Sequence, residues 1–110
     1  MYLGINHLKV GGDSAGGNLA AVLAMQTFTK VIAGQLSKVP AFQFLLYPWV
    51  DMSTESDSIQ RYGKGLLLTE ETMIFFRDNY LSEGDHALAI VASPMACGDV
   101  TGTPDTLIVT

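Results

Sequence analysis

The 110-residue chain is 48% hydrophobic and 15% charged, which suits one compact globular domain and excludes a disordered chain. Its 6 basic and 11 acidic residues are scattered and give a net charge of −5, so neither nucleic acid nor an anionic membrane surface is expected as the main partner. A single cysteine excludes an internal disulfide, two histidines with one cysteine do not make a zinc site, and no metal or cofactor is expected.

Residues 1–10 include Gly4, Asn6, His7 and Lys9 and do not read as a secretory signal. No stretch reaches the ~18 apolar residues that a membrane span needs. The expectation is a cytoplasmic protein with no integral membrane segment. Residues 8–10 form a short apolar run that ends in Gly11-Gly12. From Ala15 the apolar spacing turns helical: Leu19, Val22, Leu23 and Gln26 share one face, and the helix should fade near residues 29–34. Pro40 and Pro48 flank Phe42, Phe44, Leu45, Leu46 and Tyr47, an almost continuous apolar run suited to a strand buried on both faces. Residues 50–64 are polar and Ser/Asp-rich, a surface excursion long enough to be functional or lid-like.

Thr69 caps a second helix, with Glu70 and Glu71 where the helix dipole favours anions. Leu68 and Met73 are placed for a hydrophobic staple, Met73, Phe76 and Tyr80 supply the buried face, and Gly84 lies past the end. Residues 87–102 read as irregular, with a turn at Ser93-Pro94, and residues 106–110 as a β-branched strand. Strands alternating with helices imply an α/β fold with a parallel sheet and right-handed crossovers.

Gly12-Asp13-Ser14-Ala15-Gly16 fits G-x-S-x-G and sits after a strand and before a helix, as a nucleophile elbow must. So tight a turn strains the serine backbone, and glycines at 12 and 16 remove collisions two residues either side. The strain lifts the Ser14 hydroxyl clear of the sheet edge, where a base and a substrate can both reach it. The helix opening at Ala15 points its amide dipoles there, and the Ala15 N–H can bind an oxyanion. The plain alternative is a Gly-rich strand-to-helix turn without chemistry. No Lys-Ser/Thr follows Gly17, so this is not a Walker A loop, and Gly11, Gly12, Gly16 and Gly17 do not satisfy G-x-G-x-x-G.

The run from Gly12 through Gly16, Gly17 and Asn18 to Ala21 resembles the elbow of the hormone-sensitive-lipase family of α/β-hydrolase esterases and lipases. Three further blocks resemble that family in the same order: Phe44-Leu45-Leu46-Tyr47-Pro48-Trp49-Val50-Asp51, Gly65-Leu66-Leu67-Leu68-Thr69, and Ala92-Ser93-Pro94-Met95 with residues 102–110. The resemblance covers nearly the whole chain and implies the central part of one α/β-hydrolase catalytic domain. It makes Ser14 the nucleophile and Ala15 an oxyanion donor, and gives Asp13 no catalytic step. The family's His-Gly-Gly-Gly segment lies upstream of the elbow, and nothing before Ser14 matches it. Its acid and histidine fall downstream of Thr110. The approach to the elbow, residues 5–12, is about two residues shorter than the family's, which leaves the first strand's start open.

Among residues present, His7 lies toward the far end of its strand from Ser14, and His86 reads as a surface residue. Asp51 ends the second strand on the same sheet edge as Ser14 and is geometrically the better candidate for a triad acid, yet the family uses the position structurally, while Asp99 and Asp105 are expected in turns. Cys97 has no base spaced near it and reads as an incidental thiol. Trp49, Leu66 and Leu67 suit an acyl pocket or simply core, and Tyr47 is read as core at least as readily. The function implied is a carboxylic ester hydrolase acting on short to medium acyl esters, with a small-molecule ester as partner and the oligomeric state open. The alternative is a binding protein of the same family, of the kind the plant gibberellin receptors represent, which have lost the histidine.

Overall fold

The computed structural model describes residues 8–54, 56–82 and 89–110. Three strands form one parallel sheet in chain order: β1 (Lys9–Asp13), β2 (Phe42–Leu46) and β3 (Asp105–Val109). The register pairs Gly12 with Leu45 and Leu45 with Ile108, so the strands end level, at Asp13, Leu46 and Val109. Helix α1 (Ala15–Ile32) joins β1 to β2. The long connection from β2 to β3 contains α2 (Asp57–Tyr62), α3 (Glu70–Tyr80) and a 3-10 turn (Pro94–Cys97). The expected α/β layout and parallel sheet are therefore present.

The small core forms where α1 crosses the sheet, from Ala20, Ala21 and Leu45 with Val10 packed against them. The expected grouping of Leu19, Val22, Leu23 and Gln26 is not the sheet-facing one. Of that grouping only Val22 is buried; Leu19 is 54% exposed, Leu23 48%, and Gln26 is exposed too, while Gly17, Ala20, Ala21 and Ala24 are buried. The two sets are offset by two residues, about 200° round a helix. Small side chains win because they let the helix lie close to the strands, and the leucines are turned outward.

Side chains alternate along each strand, so Gln43 and Leu45 face α1 while Phe42, Phe44 and Leu46 occupy the opposite face. On that face Phe44, Leu107 and Val109 are exposed, 38%, 49% and 43%. Parallel sheets are ordinarily covered on both sides. Among the described residues no helix is long and apolar enough to cross a membrane.

The excursion expected over residues 50–64 holds one short helix, α2, whose N-cap Ser56 accepts from the Ile59 N–H at 3.4 Å. Helix α3 starts as expected: the Thr69 hydroxyl accepts from the Thr72 N–H at 3.2 Å, and Glu70 and Glu71 lie in the first turn. Its expected buried face is not buried. Phe76 and Tyr80 are exposed, no residue of α3 is buried, and Leu68 of the expected staple is exposed as well. Among the described residues α3 faces the cleft it shares with the Trp49–Thr54 segment and buries none of its own side chains, so the hydrophobic spacing has no packed layer to face. Gly84 lies outside the described residues.

A 110-residue polypeptide of this sequence, purified by itself, is expected to unfold without a sharp thermal transition and to bind a hydrophobic dye, because among the described residues nothing covers one apolar sheet face or either sheet edge. Calorimetry with dye fluorescence checks this; a sharp two-state transition from a soluble monomer would contradict it.

Candidate active site

The sheet's hydrogen-bond ladder runs on past the strand ends. The Ser14 N–H donates to the Leu46 carbonyl at 2.9 Å, and the Tyr47 N–H to the Val109 carbonyl at 2.6 Å. Ser14 and Tyr47 are also the two non-glycine residues with positive φ among those described, 50° and 35°. Each therefore follows its strand in the same sense, at the carboxyl edge where parallel α/β sheets place their ligands. A serine in that region carries strain of about 1–3 kcal/mol, which persists only where the surroundings hold it.

Those surroundings are visible around Ser14. Its N–H is fixed by Leu46, and its carbonyl accepts from the Asn18 N–H at 3.1 Å and the Trp49 N–H at 3.2 Å. As N-cap of α1, Ser14 makes no side-chain capping bond, although serine is among the residues that usually do so. Ala15 opens α1, so its N–H has no intrahelical acceptor and lies at the positive end of the helix dipole.

The glycines divide differently from the motif's spacing. A Cβ on Gly12 would collide with the carbonyl carbon and oxygen of Gly16, so that glycine is required. A Cβ on Gly16 would meet only the Asp13 carboxylate, at 3.9 Å, and the expected collision there is absent. In the first turn of α1 the crowded position is instead Gly17, where a Cβ would stand 2.9 Å from Pro48 Cβ and 3.2 Å from the Gly12 carbonyl oxygen. The loop leaving β2 presses on α1 one residue beyond the pattern. Asp13 ends β1, exposed.

Asn18, to which the spacing of the elbow motif assigns no role, is 1% exposed. Its amide nitrogen donates to the Trp49 carbonyl at 2.6 Å and to the Ala92 carbonyl at 2.7 Å. It thus ties the elbow to the loop after β2 and to the turn before Pro94. Nearby, the fully buried Ser93 hydroxyl accepts from the Met52 N–H at 2.7 Å. Losing the Asn18 donors would leave two carbonyls short of partners, at about 1–3 kcal/mol each.

Asp51 is turned to its own loop. Its carboxylate accepts from the Ser53 N–H at 2.8 Å, the Ser53 hydroxyl at 2.5 Å and the Thr54 hydroxyl at 2.8 Å. The Ser53 bonds chiefly hold its carboxyl below the usual value. A depressed carboxyl stabilises the fold above its unfolded pKa, and that contribution fades as pH falls below the ordinary range. Asp99 closes a turn through the Thr101 N–H at 2.8 Å, and that residue's bonds lower its pKa too. Asp105 opens β3 instead of lying in a turn. Cys97 ends the 3-10 turn and donates to the Asp99 carbonyl at 3.0 Å. His7 and His86 lie outside the described residues.

A cleft of about 360 Å³ lies between the post-β2 loop and α3, lined by Trp49, Met52, Ile59, Met73, Ile74 and Arg77 among others. The buried Trp49 indole N–H has no partner among the described residues. Leu66 and Leu67 are exposed and do not line this cleft, so of the residues expected in an acyl pocket only Trp49 reaches it.

A strained serine between a parallel strand and a helix amino terminus is the arrangement of an α/β hydrolase. The family model described as alpha/beta hydrolase fold matches residues 2–110, and the chain belongs to that family, among its hormone-sensitive-lipase-like esterases. It is 38% identical over 78 residues to the carboxylic ester hydrolase LipN of Mycobacterium tuberculosis, covering 71% of this chain and 20% of LipN. It is 41% identical over 80 residues to the ethyl acetate hydrolase of Pseudomonas putida, covering 71% of this chain and 24% of that enzyme. Among solved structures, carboxyl esterase 2 of Tuber melanosporum superimposes with a TM-score of 0.79 at 30% identity, over 91% of this chain and 32% of that one. The Pyrobaculum calidifontis esterase gives 0.78 at 34% identity, over 93% and 32%. The chain thus spans between a fifth and a third of the length of these relatives.

The glycine geometry gives a paired test in the full-length protein. Gly17→Ala should destabilise by about 1–3 kcal/mol through overpacking against Pro48, while Gly16→Ala should cost under about 1 kcal/mol or stabilise slightly through helix propensity. Denaturant titration of the two variants checks the order; equal losses would refute it.

Proposed function

We propose that the protein is a carboxylic ester hydrolase in which Ser14 is the nucleophile. The observation that carries this reading is the backbone of Ser14, at φ 50° between β1 and α1 with its hydroxyl not used as a helix cap. The Ser14 hydroxyl attacks the acyl carbon and passes its proton to a histidine, which the family resemblance puts downstream of Thr110 together with the acid that orients it. The carbonyl oxygen becomes an oxyanion, held by the Ala15 N–H at the helix amino terminus. As the tetrahedral species collapses the histidine returns that proton to the leaving oxygen, which departs as the alcohol, and the now neutral histidine acts as base for the water that hydrolyses the acyl-enzyme.

Short to medium acyl esters are the proposed substrates, with Trp49 and its cleft as part of the acyl-binding wall. This sits well with relatives described as an ethyl acetate hydrolase and a carboxylic ester hydrolase. Residues 1–110 alone are proposed to be inactive, because a serine without its base keeps only background reactivity.

The full-length protein should hydrolyse p-nitrophenyl acetate or butyrate and be labelled on Ser14 by a fluorophosphonate. Ser14→Ala should lower turnover by roughly 10⁴–10⁶-fold. Undiminished turnover in that variant would remove Ser14 from the mechanism, and a protein that binds such esters without cleaving them would instead be a receptor-like binder.

A further inference from the structure

The Ser14 carbonyl and the Ala15 N–H are two ends of one peptide group. That group is rigid and planar, so whatever fixes the carbonyl direction fixes the N–H direction opposite to it. Two donors fix the carbonyl, the Asn18 N–H and the Trp49 N–H. The Trp49 backbone is in turn held through its carbonyl, which accepts from the Asn18 side-chain amide at 2.6 Å. The bonds close a ring: Asn18 holds Ser14 with its backbone, holds Trp49 with its side chain, and Trp49 holds Ser14. The second amide hydrogen of Asn18 anchors the ring to Ala92, in a segment 74 residues away in sequence. Asn18 is buried to 1% exposure, so water does not compete for these bonds.

We infer that Asn18 is a positioning residue for the oxyanion donor: through Trp49 it aligns the Ser14–Ala15 peptide so that the Ala15 N–H points at the developing oxyanion. The inference rests on the esterase reading of Ser14. Two hydrogen bonds to the carbonyl also polarise the peptide and make its N–H a stronger donor. Because the oxyanion exists only after attack, misalignment weakens transition-state binding and leaves ester binding largely intact.

The test uses the full-length protein, p-nitrophenyl butyrate, and a fluorophosphonate allowed to react to completion, which counts competent serines. Asn18→Asp keeps the shape but sets an acceptor against two carbonyl oxygens. Its turnover per labelled serine should fall about 10–100-fold with KM changed by less than about 3-fold. Affinity for a boronic acid that forms a tetrahedral anion on the serine should fall by a similar factor. Asn18→Ser, which retains one shorter donor, should show a smaller loss of the same kind, and it decides the matter if the aspartate variant does not fold. A purely structural role would lower the number of labelled serines and leave turnover per serine and boronate affinity unchanged; that result overturns the inference alone. A wild type that neither hydrolyses the ester nor labels on Ser14 overturns the esterase reading and the inference with it.

Discussion

How closely α1 can approach the strand it leaves, and the loop that follows the next strand, sets the rest of this carboxyl edge. At Gly12 the strand backbone passes the first turn of the helix with no space for a Cβ, and at Gly17 the helix passes Pro48 under the same constraint. Further along α1 the same closeness selects Ala20, Ala21 and Ala24 for the sheet-facing side. A larger side chain in this series would push the helix out, and the amino terminus aimed at Ser14 would move with it. The core beneath is small, so backbone crossing contributes more to the geometry here than apolar area does.

Strain in the serine is held from both sides of its peptide planes. One side is the sheet ladder, which extends through Leu46 to the Ser14 N–H, and the other is the pair of donors on its carbonyl. A distorted residue at a strand end would otherwise relax into an ordinary extended or helical conformation. The left-handed turn at Tyr47, level with Ser14 in the register, carries the chain to Pro48 and on to Trp49, which supplies one of those two donors. The two unusual backbone positions thus belong to one construction.

The parallel α/β layout, the three strands, the start of α1, the Thr69 cap and the serine's place between strand and helix were all legible in the sequence. Each rests on neighbours within a few residues, where apolar spacing, caps and turn chemistry act directly. What was not legible depended on partners far along the chain. Gly17 matters because of Pro48, which no five-residue pattern around Ser14 can register. Asn18 matters because of carbonyls 31 and 74 residues away; its signal, a polar residue amid Ala and Leu one turn past the serine, was present but ambiguous. The leucines of α1 drew the expected face because hydrophobicity rewards size, whereas the sheet rewards closeness. The exposed side of α3 shows the converse: spacing predicts which residues could be buried together, not whether anything covers them.

The bond from Asn18 to Ala92 has a consequence for the order in which the molecule assembles. It closes a loop of 74 residues, and closing long loops is entropically slow compared with forming a helix turn or pairing nearby strands. Helix α1 and the β1–β2 pair can form while most of that loop is still unstructured. The ring around the Ser14 carbonyl is anchored only when residues 89–97 arrive. Residues 89–97 leave the ribosome after Ser14, so the serine is made before the segment that anchors its ring exists.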